Sequence, residues 1–163
     1  RRARRGGGAP RNGIMDVKTL ESQHIVQTYR RTPVVLVRGK ESWRVAGAVL
    51  EEDWFIQLRS SKARARAARI SSLLLRLVVG EANNPALFSI IRGFFNALAT
   101  LREDSHEAAE VLAAIRILAA LGLDEGSIPG ETPVFTERLL SEVLKERTGY
   151  IARINNGISA SGL

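Results

Sequence analysis

The chain has 163 residues, 45% of them hydrophobic, enough for one compact domain or a domain with a small appendage. It has no cysteine, and its two histidines, His24 and His106, stand without ligand spacing around them. Disulfides, thiolate chemistry and a zinc or iron centre are therefore not expected. The net charge of +7 is unevenly spread. Residues 1–76 hold 17 Lys and Arg against 6 Asp and Glu, whereas residues 77–163 hold 7 against 11. A basic front with an acidic back points to a polyanion meeting the front. Of those 17 cations 14 are arginine, whose planar fork suits phosphate and base edges better than an ammonium does. The most apolar run, residues 71–80, is interrupted by Arg76 and falls well short of the roughly 20 residues of a membrane span. No apolar segment follows the basic residues 1–8, so a secretory leader is not expected either.

In chain order, residues 1–13 (RRARRGGGAPRNG) mix Arg, Gly and Pro without periodicity and read as an arm of the kind that contacts nucleic-acid backbones. Residues 14–32 favour neither strand nor helix. After Pro33, two runs rich in β-branched residues, 34–38 and 43–50, flank Arg38-Gly39-Lys40-Glu41 as in a hairpin. The Gly39-Lys40 pair lacks the upstream Gly and the following Ser or Thr of a phosphate-binding loop. Arg38, Lys40 and Arg44 crowd this turn and are candidate phosphate contacts.

From Trp54 onward the pattern is helical. Ser60 or Ser61 caps a helix to about Val79, with Ile70, Leu73, Leu74 and Leu77 at helical spacing. Its front carries Lys62, Arg64, Arg66 and Arg69, preceded by Arg59. Residues 62, 66 and 69 fall on one face, so the reading is a cationic ridge and, with the hairpin, the candidate DNA surface. Asn84-Pro85 starts the next helix as N-cap and first-turn proline. Its apolar face, Leu87, Ile90, Ile91, Phe94, Phe95 and Leu98, is core with enough surplus to leave a groove for a partner peptide. A third helix begins at Ser105 as cap, with Glu107 and Glu110 near its positive end, and stops at Gly122. Its inward stripe is Val111, Leu112, Ile115, Leu118 and Leu121. After a loop over 124–133, further helices are expected over about 135–147 and 150–159.

Catalytic constellations are not evident. The carboxylate clusters at 51–53, 103–104 and 124–125 place acids side by side in sequence, where they cannot face each other across a substrate. No Cys, no G-x-S-x-G and no His beside a nucleophile offers covalent chemistry. The expectation is a binding protein and not an enzyme, without cofactor.

Four segments, taken in order, carry a family resemblance over residues 34–163: VRGKESWRVAGAVLEED, NNPALFSIIRGFFNAL, RILAALGL and YIARINNGISASGL. Together the chain resembles the bacterial DNA repair protein RecO. The first segment is similar to the last strands of that family's N-terminal OB barrel, the second and third to successive helices of its helical domain, and the fourth to the end of short members. The resemblance implies a mainly α protein: residues 1–53 as a partial OB-fold-like β region with a basic arm, and residues 54–163 as a helical bundle. It implies a DNA recombination mediator acting in the response to DNA damage. Such a protein binds single- and double-stranded DNA, anneals strands, and works with RecR to load RecA onto DNA covered by single-stranded-DNA-binding protein. The location implied is cytoplasmic, at the nucleoid. The helical half resembles the domain that receives the acidic, hydrophobic tail of the single-stranded-DNA-binding protein, with Arg92 and Arg116 as the expected contacts. Two departures stand out. DEGSIPGETP occupies the place of a four-cysteine zinc site found in many members, and only two of five barrel strands are readable, which implies that part of the barrel lies outside this chain. A basic RNA- or ribosome-associated module is the competing reading.

Overall fold

Two facing runs of Val, Leu and Trp, and a downstream chain of amphipathic helices, divide the protein into two units. The computed structural model describes residues 30–32, 34–38, 42–78 and 84–162. The expected arm at 1–13, His24 and the expected turn residues Gly39, Lys40 and Glu41 lie outside them. The units meet in sequence at Glu52 and Asp53.

In the first unit, β2 (Val34–Arg38) and β3 (Trp43–Ala48) pair antiparallel. Val34 lies opposite Ala48, Leu36 opposite Val45 and Arg38 opposite Trp43, with a bulge between Val35 and Leu36. The second strand was expected to reach residue 50; it stops at Ala48, where β2 has no further residue to pair. Alternation puts Val34, Leu36, Arg38, Trp43 and Val45 on one face and Val35, Val37 and Arg44 on the other. Every one of these residues is exposed. A shorter ladder joins β1 (Arg30–Arg31) to β4 (Glu52–Asp53), and the Arg31 guanidinium reaches Glu51 at 2.7 Å.

The second unit is helical: α1 (Trp54–Gln57), α2 (Ser61–Leu77), α3 (Pro85–Thr100), α4 (His106–Ala120), α5 (Glu137–Lys145) and α6 (Arg147–Ala160). Its organiser is α4, which packs against α2, α3, α5 and α6. The sequence pattern marked one inward stripe, but α4 is buried all round from Ala108 to Leu118, apart from Glu110. Alanines at 108, 109, 113 and 114 let neighbours approach on the sides that Leu112, Ile115 and Leu118 do not fill. Against it, α2 presents Ala63, Ala67 and Ile70, and α3 presents Ile90, Phe94 and Leu98. Trp54 meets Phe95 edge-on at 5.4 Å and donates its indole N–H to Asn96 Oδ1 at 2.7 Å.

Local chemistry sets the helix ends. Ser60 Oγ accepts from the Ala63 amide at 3.0 Å, and Asn84 Oδ1 from that of Leu87 at 3.3 Å. At Gly122 (φ +72) the chain turns left-handed while the Leu123 and Gly122 amides bond the Leu118 and Ala119 carbonyls, closing α4. The expected cap at Ser105 is corrected. A 3₁₀ turn, Glu103–Ser105, leads directly into α4, and the Ser105 hydroxyl caps nothing. The last two helices break at Glu146, so α6 starts three residues earlier than its sequence pattern suggested. Among the described residues, no helix is long and apolar enough to cross a membrane.

The fold predicts a contrast between two leucines. Leu112→Ala, at the fully buried centre of α4, should lower the unfolding free energy by about 2–5 kcal/mol. Leu75→Ala, 79% exposed on α2, should change it by less than about 0.5 kcal/mol. Urea denaturation followed by circular dichroism measures both, and equal losses would mean that α4 is not the core.

Candidate functional site

The hairpin carries an exposed aromatic–cation pair. Arg38 and Trp43 are directly cross-strand, and the guanidinium lies 6.0 Å from the indole centroid. Trp43 is 63% exposed, an unusual state for so large an apolar ring. Arg44 projects from the opposite face, opposite Val37. One face thus joins a flat π surface to a cation, and the other adds a second cation. Lys40, expected between them, lies outside the described residues.

The ridge on α2 is corrected in part. Lys62, Arg66 and Arg69 do share a face, but that face looks across to acids of the neighbouring 3₁₀ turn and α4. Lys62 Nζ lies 3.2 Å from Glu103. Glu110 receives Arg66 at 2.5 Å and both Arg69 Nε, at 2.5 Å, and Nη2, at 2.8 Å. That hydrogen bond to Glu110 raises the Arg69 pKa further above its ordinary value. Arg64 turns back instead, donating to the Leu58 carbonyl at 2.7 Å and stacking 5.2 Å from Phe55. Arg59 is exposed. The physical reason is the stripe Ala63, Ala67, Ile70, which turns this side of α2 inward and brings its arginines to α4. Glu107, on the next turn of α4, takes Arg147 of α6 at 2.6 Å. Between α2, α4 and α6 runs a groove of about 470 Å³ lined by Ile70, Leu73, Val111 and Ile154 and rimmed by these paired charges.

A second groove, of about 310 Å³, follows α3. Phe88, Ser89, Arg92, Gly93 and Asn96 line one side; Pro133 and Phe135 form the other. Among the described residues lining it, Arg92 is the charged one and no carboxylate is present. Gly93 is required here, because a Cβ would collide with the Pro133 carbonyl oxygen.

Arg116, expected beside Arg92 as a contact for a partner, is not available to one. It is 2% exposed, and its fork donates to the carbonyls of Val134 (2.8 Å), Glu131 (3.1 Å) and Pro129 (3.2 Å). Its guanidinium also stacks 4.9 Å from the Phe135 ring. Burial pulls its pKa below the ordinary arginine value. Among the described residues no carboxylate pairs with Arg116; the two terminal nitrogens are met by backbone carbonyls while Nε is buried without a hydrogen-bond partner, and the 129–135 segment is strapped onto α4 as a result.

Sequence reasoning also missed a clamp in the preceding loop. Arg153 of α6 grips Asp124 through two bonds of 3.0 and 2.5 Å and donates to the Ser127 carbonyl at 2.9 Å. Those bonds hold the Asp124 carboxyl below the usual aspartate range, against the opposing effect of desolvation. The signal available was Gly126, where any side chain would run into Arg153. Among the described residues, no group of three or more His, Cys, Asp or Glu is placed to hold a metal ion.

No family model, curated protein or solved structure matches the chain.

The Asp124–Arg153 clamp predicts a pH signature. A carboxyl whose folded pKa is depressed stabilises the fold fully above its unfolded value of about 3.9 and loses that contribution as pH falls through the folded value. Urea titrations of wild type and Asp124→Asn should therefore differ by a constant amount above about pH 5 and converge below about pH 4. A gap that stays constant down to pH 2 would refute the clamp.

Proposed function

We propose that the chain is a RecO-like recombination mediator. It binds single- and double-stranded DNA, anneals complementary strands and, with RecR, helps load RecA onto DNA covered by single-stranded-DNA-binding protein. This is accessory work without turnover, in the cytoplasm at the nucleoid. The ordered sequence resemblance of residues 34–163 supports it, and in this reading the β2–β3 hairpin is a remnant of an OB barrel.

The observation that carries the DNA contact is the exposed Trp43 with Arg38 beside it and Arg44 behind. Single strands are held by stacking bases on aromatic faces while cations neutralise the backbone, and every base offers a π face. A mediator must act on any sequence, so stacking and charge suit it better than hydrogen bonds to base edges. Arg59 adds positive charge on the helical unit, and Lys62, exposed but paired with Glu103, adds less. Arg66 and Arg69 contribute less, since Glu110 neutralises part of their charge.

The acidic, hydrophobic tail of the single-stranded-DNA-binding protein is assigned to the Arg92 groove. Charge decides between the two grooves. In the α2–α4–α6 groove Arg66, Arg69 and Arg147 are already bonded to Glu110 and Glu107, and an acidic peptide would have to approach those carboxylates, whereas the Arg92 groove is lined by a cation and the apolar walls Phe88, Pro133 and Phe135, with no carboxylate among its lining residues.

Fluorescence anisotropy with labelled oligonucleotides over a salt series tests the DNA contact. Trp43→Ala should weaken single-strand binding by about tenfold with little change in salt slope. Arg38→Ala and Arg44→Ala should each flatten the slope by about 0.7. Three variants that bind like wild type would sink the hairpin assignment. Strong preference for structured RNA, with no strand annealing, would replace the whole reading with an RNA- or ribosome-associated module.

A further inference from the structure

The Arg92 groove has one wall of helix and one wall of loop, and loops without regular hydrogen bonds do not ordinarily hold a shape. Here, among the described residues, 129–135 have no such bonds apart from the Val134 amide on the Glu131 carbonyl at 2.8 Å. What holds them is a side chain from behind. Arg116 enters from α4, spends three hydrogen bonds on carbonyls spaced along the segment, and lays its guanidinium against Phe135. On the groove side the same segment rests on Gly93, whose missing side chain admits the Pro133 carbonyl, and Phe135 reaches Phe94 of α3 at 6.4 Å.

We propose that Arg116 is a positioning residue for peptide capture, fixing the 129–135 strap so that Pro133 and Phe135 stand preformed opposite Phe88 and Arg92. The proposal rests on the reading of the Arg92 groove as the seat of an acidic, apolar-ended peptide. It goes further in stating that the groove is built before the peptide arrives. A preformed wall saves the ordering cost that a loose loop would exact on binding, so its loss appears as weaker affinity in a protein that is still folded. Arginine is specific to this task. A lysine keeps the charge but has no planar fork to span the three carbonyls and no flat face for Phe135.

The probe is a fluorescein-labelled peptide of several aspartates followed by leucines and a terminal phenylalanine, titrated into the full chain. Amide hydrogen exchange is recorded on the same samples. Arg116→Lys should bind about tenfold more weakly, with exchange accelerated within 129–135 and unchanged in α4. Gly93→Ala, which displaces the strap without touching Arg116, should reproduce both effects and serves if the first variant does not fold. Arg92→Glu should abolish binding while leaving strap exchange at the wild-type rate. Full affinity in a variant whose strap exchanges fast would overturn the proposal, as would an unchanged strap in Arg116→Lys. If wild type and all variants ignore the peptide, the seat itself is wrong, and the exchange data then report separately on whether Arg116 holds the strap.

Discussion

A helix with no solvent-facing side cannot exist until something surrounds it, and α4 is such a helix over most of its length. Its burial is the constraint from which the helical unit follows. Leu112, Ile115, Ile117 and Leu118 need apolar neighbours in several directions, and the alanines between them set how near those neighbours come. The helices α2, α3, α5 and α6 each supply one covering face, and their remaining faces are free to be polar. Both grooves arise at seams of this wrapping, where one covering element ends before the next begins.

The same constraint determines where the charges go. A wrapped helix leaves little room for charge, so the two ionic groups it does carry inward are met by specific partners: Glu110 by two arginines of α2, and Arg116 by carbonyls of the strap. These solutions differ in kind. The first pairs opposite charges at the rim, where water still screens them; the second buries a cation among dipoles. Arg66 and Arg69, two of the cations counted in residues 1–76, are thereby engaged within the protein's own structure. On the described residues, exposed cations stand on the hairpin at Arg38 and Arg44 and on the helical unit at Arg59, Lys62, Arg64, Arg69 and Arg76.

Much of the fold was legible because the signals were local. Asn84-Pro85, Ser60 and Gly122 each act on the few residues beside them, and the β-branched runs at 34–38 and 43–48 declared themselves by composition. The candidate site was harder. Helical periodicity placed Lys62, Arg66 and Arg69 on a common face but assigned that face to solvent, because charged faces ordinarily point there. The alanines at 63 and 67, small enough for helix contact, were the contrary signal. Glu110 lies more than forty residues from either arginine, and no local pattern couples them. Arg116 looked like a groove-side cation because Leu118 and its neighbours were taken as one stripe; it lies instead on a side of α4 that the 129–135 segment covers. Ser105 had the composition of a cap, but the 3₁₀ turn preceding α4 took over the start of the helix.

Glu110 serves two arginines at once, and this makes the α2–α4 seam asymmetric toward damage. Take away either guanidinium, and an ordinary ion pair remains. Take away the carboxylate, and two cations one helical turn apart are left facing each other at a partly buried site, so the contact changes sign from attraction to repulsion. Tolerance along this seam is therefore a property of the hub and not of its spokes. Drift in the arginines of α2 is cheap for the fold, which leaves their number and placement open to adjustment by whatever the outer surface must bind.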